Sequence, residues 1–325
     1  MKRIYKSTFS KFSFLPLNPS KGGLSHKFAK VLYIASFLLL PVSLAAQNDL
    51  LALAEADSAA TAYTTATFKA TRIINGHSVQ TIPGKELLFM ISHRFGTLDG
   101  GAYNFFGLDA ATIRLALEYG LTDRFSVGVG RSSLEKTYDG YLKYKLLRQK
   151  DDTWAAPVTV TGFASTAITT LRFDNPEKNE DFSSRLAYTY QLLIARKFND
   201  RFSLQLSPTL VHRNLVSTNR DENNVYALGA GSRYKLTKRT SLNAEYFYVL
   251  PGATADDYIN SFSLGFDIET GGHVFQLHLT NAQGMIEKFF IPQTLSKWGD
   301  GGIYFGFNIS RVFSFDKDKK VEKKW

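Results

Sequence analysis

Cysteine is absent from all 325 residues. No disulfide can staple this fold, and no metal site built on thiolates can form. The spacings H-E-x-x-H and G-x-S-x-G, the P-loop and the dinucleotide fingerprint are missing too, which removes the usual pointers to zinc proteases, serine hydrolases and nucleotide enzymes. The sequence therefore offers no catalytic residue set, no metal ligands and no cofactor motif. Acidic residues are missing from the first 46 residues, which carry seven Lys or Arg and no Asp or Glu.

That region ends in "KFAKVLYIASFLLLPVSLAAQ". Lys27 and Lys30 precede an apolar core from Val31 to Leu40, and small residues follow at Ser43, Ala45 and Ala46. The core is too short to span a bilayer comfortably, and the pattern is that of a secretory signal cleaved near Ala46. Removing residues 1–46 takes 39 basic residues to 32 against 29 acidic, so the formal charge falls from +10 to about +3. The high isoelectric point is mostly a property of the leader, and nucleic acid is not an expected partner.

From Glu86 onward, apolar and polar residues alternate with period two. In "ATIRLALEYG", Ile113, Leu115, Leu117 and Tyr119 share one face and Thr112, Arg114, Ala116 and Glu118 the other. "SSRLAYTYQLLIARKF", "TSLNAEYFYVL" and "NSFSLGFDIE" repeat the pattern. The alternation places about twelve strands near 86–96, 110–121, 124–132, 137–149, 155–171, 183–198, 201–213, 223–236, 240–250, 258–269, 272–281 and 302–315.

The links between them alternate in length. "TLDGGAYNFFGLD", "FDNPEKNED", "NLVSTNRDE", "PGATADD" and "NAQGMIEKFFIPQTLSKWGDGG" interleave with "LTD", "ND", "TKR" and "TGG", and "SSLEK" is the short exception among the long set. Alternating long and tight links are what a transmembrane barrel shows when both ends start from the periplasm. Sixteen Tyr and 26 Phe suit lipid-facing bands and interfacial girdles better than one sandwich core. The expected architecture is all-β: a single closed antiparallel transmembrane barrel of about twelve strands over 86–315. It follows the leader and an arm or plug over 47–85 and precedes a charged periplasmic tail over 316–325. The expected location is the outer membrane of a Gram-negative type envelope, with lipid around the wall.

The stretches "FKATRIINGHSVQTIPGKELLFMISHRFG", "LEYGLTDRFSVGVGRSS", "TNAQGMIEKFFIPQT" and "GIYFGFNISRVFSF" resemble the outer-membrane β-barrel family called domain of unknown function 5777 (DUF5777), over roughly Tyr63 to Phe315. The resemblance implies a closed barrel in an outer membrane and carries no catalytic residues or ligands with it. The last strand, ending at Phe315, also resembles the aromatic-ended terminal strand that the barrel-assembly machinery recognises for insertion.

Parity points Arg114, Lys143, Lys145, Arg185, Arg213, Arg233 and Lys235 inward with Glu118, Glu245, Asp267 and Glu269. This mixed, slightly basic lining leaves two readings open: passage or binding of a small solute, or a non-conducting barrel shut by ion pairs and a folded-in segment. The last long link is too apolar for a solvated loop, with Met285, Ile286, Phe289, Phe290, Ile291 and Trp298, and is expected to act as a lid or constriction at the barrel mouth. A hydrolase on the outer wall is the third reading. Its candidate groups, Ser92 with His93, Ser207 with His212 and His273 with His278, lack specific spacing. His77, after the Asn75–Gly76 turn signal, reads as an ordinary loop histidine.

Overall fold

The computed structural model describes residues 63–150, 156–172, 181–216 and 218–315. The expected leader and tail, and the first part of the 47–85 segment, lie outside the described residues. Twelve antiparallel strands close into one barrel. They are β1 (Glu86–Thr97), β2 (Ala111–Gly120), β3 (Phe125–Ser132), β4 (Thr137–Leu147), β5 (Thr159–Thr169) and β6 (Leu186–Lys197), then β7 (Phe202–Arg213), β8 (Asn224–Lys235), β9 (Thr240–Val249), β10 (Ser261–Thr270), β11 (His273–Thr280) and β12 (Tyr304–Ser314). Each strand pairs with its neighbours in the chain, and β12 returns to β1 with Ile309 opposite Ile91. Closure leaves no unpaired edge, which a barrel wall in hydrocarbon requires.

The alternation in sequence becomes two faces of the wall. Leu115, Tyr190 and Leu264 are exposed on the outside, whereas Arg114, Gln191 and Ser263 are buried inside. Aromatic rings gather on the outer face of β1 and β12, where His93 stacks on Phe307 at 5.0 Å and Phe95 on Phe305 at 5.7 Å. Strand β5 begins at Thr159, later than its apolar pattern suggests. The backbone N–H of Lys150 bonds to Ala156 O at 3.0 Å instead, so the β4–β5 link at the short-turn end is longer than a hairpin turn.

Inward positions are small in several strands, and the space they leave is filled by residues outside the wall. Residues 71–78 form a hairpin around Asn75–Gly76: Ser78 N–H donates to Thr71 O and Ile73 N–H to Gly76 O, both at 2.9 Å. Its apolar residues Ile73, Ile74 and Val79, with Phe68 before them, pack against Tyr141, Phe163, Leu193 and Ala195 of the wall. A Cβ on Gly231 would stand 2.3 Å from Ile73 Cδ1, so glycine there makes the seat for the hairpin. A Cβ on Gly120 would stand 1.9 Å from Pro83 O, which is how the chain leaves the hairpin and crosses the rim into β1.

From the long-link end, the β11–β12 link turns inward through one short helix, α1 (Glu287–Phe290). Phe290 meets Phe247 edge-on at 5.0 Å and, with Ile291, joins Val211, Val225 and Ala227 in one buried cluster. Phe289 packs with Ile286 on Ala167.

Candidate functional site

The hairpin is bound to the wall through polar side chains that point into the barrel. The Glu245 carboxylate accepts three backbone N–H groups, from Ile74 at 3.3 Å, Asn75 at 3.1 Å and Gly76 at 2.9 Å. Gln205 accepts from Val79 N–H at 2.9 Å and donates to His77 O at 2.8 Å. Gln276 donates to Ile73 O at 3.0 Å, Asn308 to Ile74 O at 3.1 Å, and Thr161 to Val79 O at 2.9 Å. Arg233 donates to Ala66 O at 2.7 Å, and Lys143 donates to Gln80 O and Thr71 O. The Asn75 side chain bonds to Ser263 at 2.9 Å and accepts from Arg94 at 2.8 Å. Nine strands thus hold residues 66–80, seven of them through the hairpin itself, which only a segment inside the barrel can satisfy. Buried backbone groups must find partners, and here the wall supplies them.

Several of the charges placed inward by parity are consumed by the hairpin segment or by one another within the wall. Arg114, Glu118, Lys143, Arg213, Arg233, Glu245 and Asp267 are all buried. Arg114 pairs bidentately with Asp139, Glu118 accepts from Ser126 at 2.7 Å, and Asp267 accepts from Gln276 at 2.9 Å. Lys145 and Lys235 are half-buried near the short-turn end. Glu269 pairs with Lys69 of the incoming segment. Arg185 differs from expectation in lying outside any strand: it sits in a single 3-10 turn before β6 and donates to Thr169 O and Leu171 O at the rim.

Of the apolar link residues, Met285, Phe289, Phe290 and Ile291 are buried. Trp298, expected with them, lies elsewhere. Its ring packs at 5.2 Å on Phe262, an outward residue of β10, and its indole N–H donates to Phe262 O at 3.1 Å, because the link has by then crossed back over the rim.

The hairpin and the folded-in link meet inside the barrel. Arg72 Nη1 stands 3.8 Å from Glu287 Oε1 and donates to Met285 O at 3.3 Å, and His77 Nε2 is 4.0 Å from the same carboxylate oxygen. The His77 ring, far from being a loop residue in solvent, lies against Phe163 at 4.3 Å and Tyr141 at 4.6 Å. Burial, then Arg72, Lys143 and Arg114, hold its pKa well below the ordinary histidine range, so it is neutral at pH 7. Burial pushes the Glu287 carboxyl up, and Arg72 pulls it back. The space beside these groups is about 10 Å³, room for roughly one water.

The sequence patterns assign no role to Arg72, Arg94, Gln205, Gln276, Asn308 and Glu287, and read Asn75 and His77 only as turn and loop residues. One signal was present: inward positions occupied by Gly229, Gly231 and Gly265 cannot fill a barrel of this size, so some other segment must. The paired histidines give no catalytic arrangement. Ser92 and Ser207 are buried inside, whereas His93 and His212 lie on the outer face, and His212 Nδ1 instead contacts Asn224 Oδ1 at 2.7 Å. Among the described residues no cluster of His, Asp and Glu is placed to hold a metal ion, and no helix is long and apolar enough to cross a membrane.

Solved barrels resemble this one at low sequence identity. The NanC porin matches at 10% identity over 71% of this chain and 99% of its own, with a TM-score of 0.43. The COG4313 outer membrane channel from Pseudomonas putida F1 matches at 15% over 74% and 100%, with a TM-score of 0.45. Outer membrane phospholipase A from Escherichia coli matches at 12% over 71% and 91%, with a TM-score of 0.40. No curated protein sequence matches. The sequence profile of the family described as a membrane bound beta barrel domain (DUF5777) spans residues 68–313, most of the wall and all of the hairpin, and the chain belongs to that family of outer-membrane barrels.

Proposed function

We propose that the protein is an outer-membrane barrel that is shut at rest, with the 71–78 hairpin as its gate for a small solute. The observation that carries this reading is the hydrogen bonding of the hairpin backbone to side chains of five strands, headed by the three N–H groups on Glu245. Bonds of this kind can be exchanged for water, so the hairpin can leave a lumen whose polar groups stay solvated. The buried Phe289, Phe290 and Ile291 hold the β11–β12 link as a second closure at the outer mouth. Lipid surrounds the wall, and insertion through the barrel-assembly machinery follows from the aromatic end of the last strand. The protein acts without catalysis in this reading.

Planar-bilayer recordings test it. The wild type is expected to show long closed periods, and a Glu245→Gln, Gln205→Ala double variant frequent openings. Sustained wild-type openings matching the variant's would refute the gate. So would a variant that stays closed although its hairpin amides exchange rapidly, because the seal would then lie in the β11–β12 link.

One observation favours a second reading, a non-conducting barrel that displays an interaction surface. The β1–β2 link exposes Tyr103, Phe105 and Phe106, and the last two hold left-handed backbone at φ 48° and 53°. Strained, solvent-exposed rings are features of binding loops. Under that reading neither the wild type nor the double variant opens, and deleting residues 101–106 removes partner capture at an unchanged barrel fold.

A further inference from the structure

We propose that the cleft at the outer mouth between β5, β6, β7 and α1 is a binding site for a small organic anion with an apolar body, such as a single-ring carboxylate. The cleft encloses about 280 Å³, at the lower edge of small-molecule sites. Three cations from separate elements line it: Arg185 before β6, Arg213 at the end of β7, and Lys288 on α1. Among the described residues Glu135 is the one carboxylate lining it, 2.8 Å from Lys288.

Arg213 gives the cleft its unmet demand. The residue is 2% exposed, and its Nη2 donates to Glu222 O at 3.1 Å, yet Nε and Nη1 have no partner among the described residues. Asp221 stands 3.8 Å away, but its carboxylate accepts from Ala255 N–H at 3.1 Å and from the Thr218 hydroxyl at 2.8 Å. A buried guanidinium with idle donors is costly; Nε and Nη1 are covered as the side chain stands, so an anion in the cleft relieves that cost once the guanidinium turns toward it. Leu171, Leu186 and Val216 supply apolar wall, which an inorganic ion leaves unused and a small ring covers. A cation is repelled, and a neutral acceptor can bond the donors but leaves the guanidinium charge uncompensated. Lys288 is also next in the chain to Glu287, which faces Arg72, so an occupant would touch the same turn that meets the hairpin.

The test is saturation-transfer NMR on the full-length protein in lipid nanodiscs, with benzoate as probe, benzylamine as the cation of similar body, and empty nanodiscs as control. Benzoate is expected to saturate and to outcompete benzylamine. Arg213→Gln and Lys288→Gln should each weaken it about tenfold or more, the factor one charge-assisted hydrogen bond contributes. Heat-modifiable migration on gels confirms that each variant is folded, and Lys288, on the link, serves if the Arg213 variant is not. Equal binding of benzoate and benzylamine, or benzoate binding unchanged in the folded variants, would overturn the site. Bilayer conductance is a separate readout, so failure here leaves the hairpin gate standing and failure there leaves this cleft.

Discussion

Glu245→Gln is the sharpest perturbation of the gate. The wild-type carboxylate serves three donors with two oxygens: Oε2 takes Ile74 and Gly76, and Oε1 takes Asn75. Glutamine keeps one acceptor and turns an N–H₂ group toward backbone N–H groups, so at least one buried donor is orphaned. Losing a charge-assisted bond costs about 1.5–3 kcal/mol and an orphaned buried donor about 1–3 kcal/mol. Against this, the variant no longer desolvates a carboxylate, which offsets about half of that sum. The net loosening is about 1–3 kcal/mol, which raises the hairpin's opening equilibrium about 5- to 150-fold. Hydrogen exchange of a peptide spanning 71–80 measures this directly in the membrane-embedded protein. Heat-modifiable migration on gels shows that the barrel itself is intact. Protection within about twofold of wild type in a folded variant would refute the anchoring role of Glu245, and with it the reasoning that polar bonds hold the gate.

Three further outcomes follow from the same geometry. Gly231→Val places carbon where Ile73 Cδ1 now lies 2.3 Å from a Cβ, so it should loosen the hairpin by about 1–3 kcal/mol. Adding Ile73→Ala should restore much of its protection in hydrogen exchange. For His77 the sign is set by a closed-state pKa below the ordinary value: the closed state holds the neutral ring, the open state takes up a proton, and closure weakens as pH falls below about 6.5. Glu287, with its closed-state pKa raised, acts in the opposite sense and favours closure as pH falls. The difference between wild type and His77→Gln isolates the histidine, and opening of the wild type should grow relative to the variant by up to about tenfold per pH unit below that point, read as bilayer open probability. Parallel pH profiles of the two proteins would remove His77 from the gate. Finally, spin labels at cysteines replacing Leu115, Tyr190 and Leu264 should be relaxed by lipid-soluble agents, and labels replacing Arg114, Gln191 and Ser263 should not; equal response of both sets would reverse the wall's faces.

The wall was legible because its code is local. Period-two alternation, turn residues and alternating link lengths each act over a few residues, and a sheet between hydrocarbon and a polar interior obliges every strand to repeat them. Leu115 outside and Arg114 inside follow from parity alone. Which groups meet inside the lumen was not legible, although a plug was one of the two roles expected for 47–85. The bonds from Glu245 to Gly76 and from Asn308 to Ile74 join residues 169 and 234 positions apart, and no local pattern encodes which inward polar group faces which backbone group. Trp298 and Arg185 illustrate the same limit at the rim, where strands end and alternation no longer assigns a side. Sequence by itself determined a twelve-stranded outer-membrane barrel and the sign of its inward charges. Tertiary structure decided that Glu245 and Lys143 hold a hairpin whereas Arg114 pairs with Asp139 within the wall, because only closure of the barrel brings nine strands around one segment.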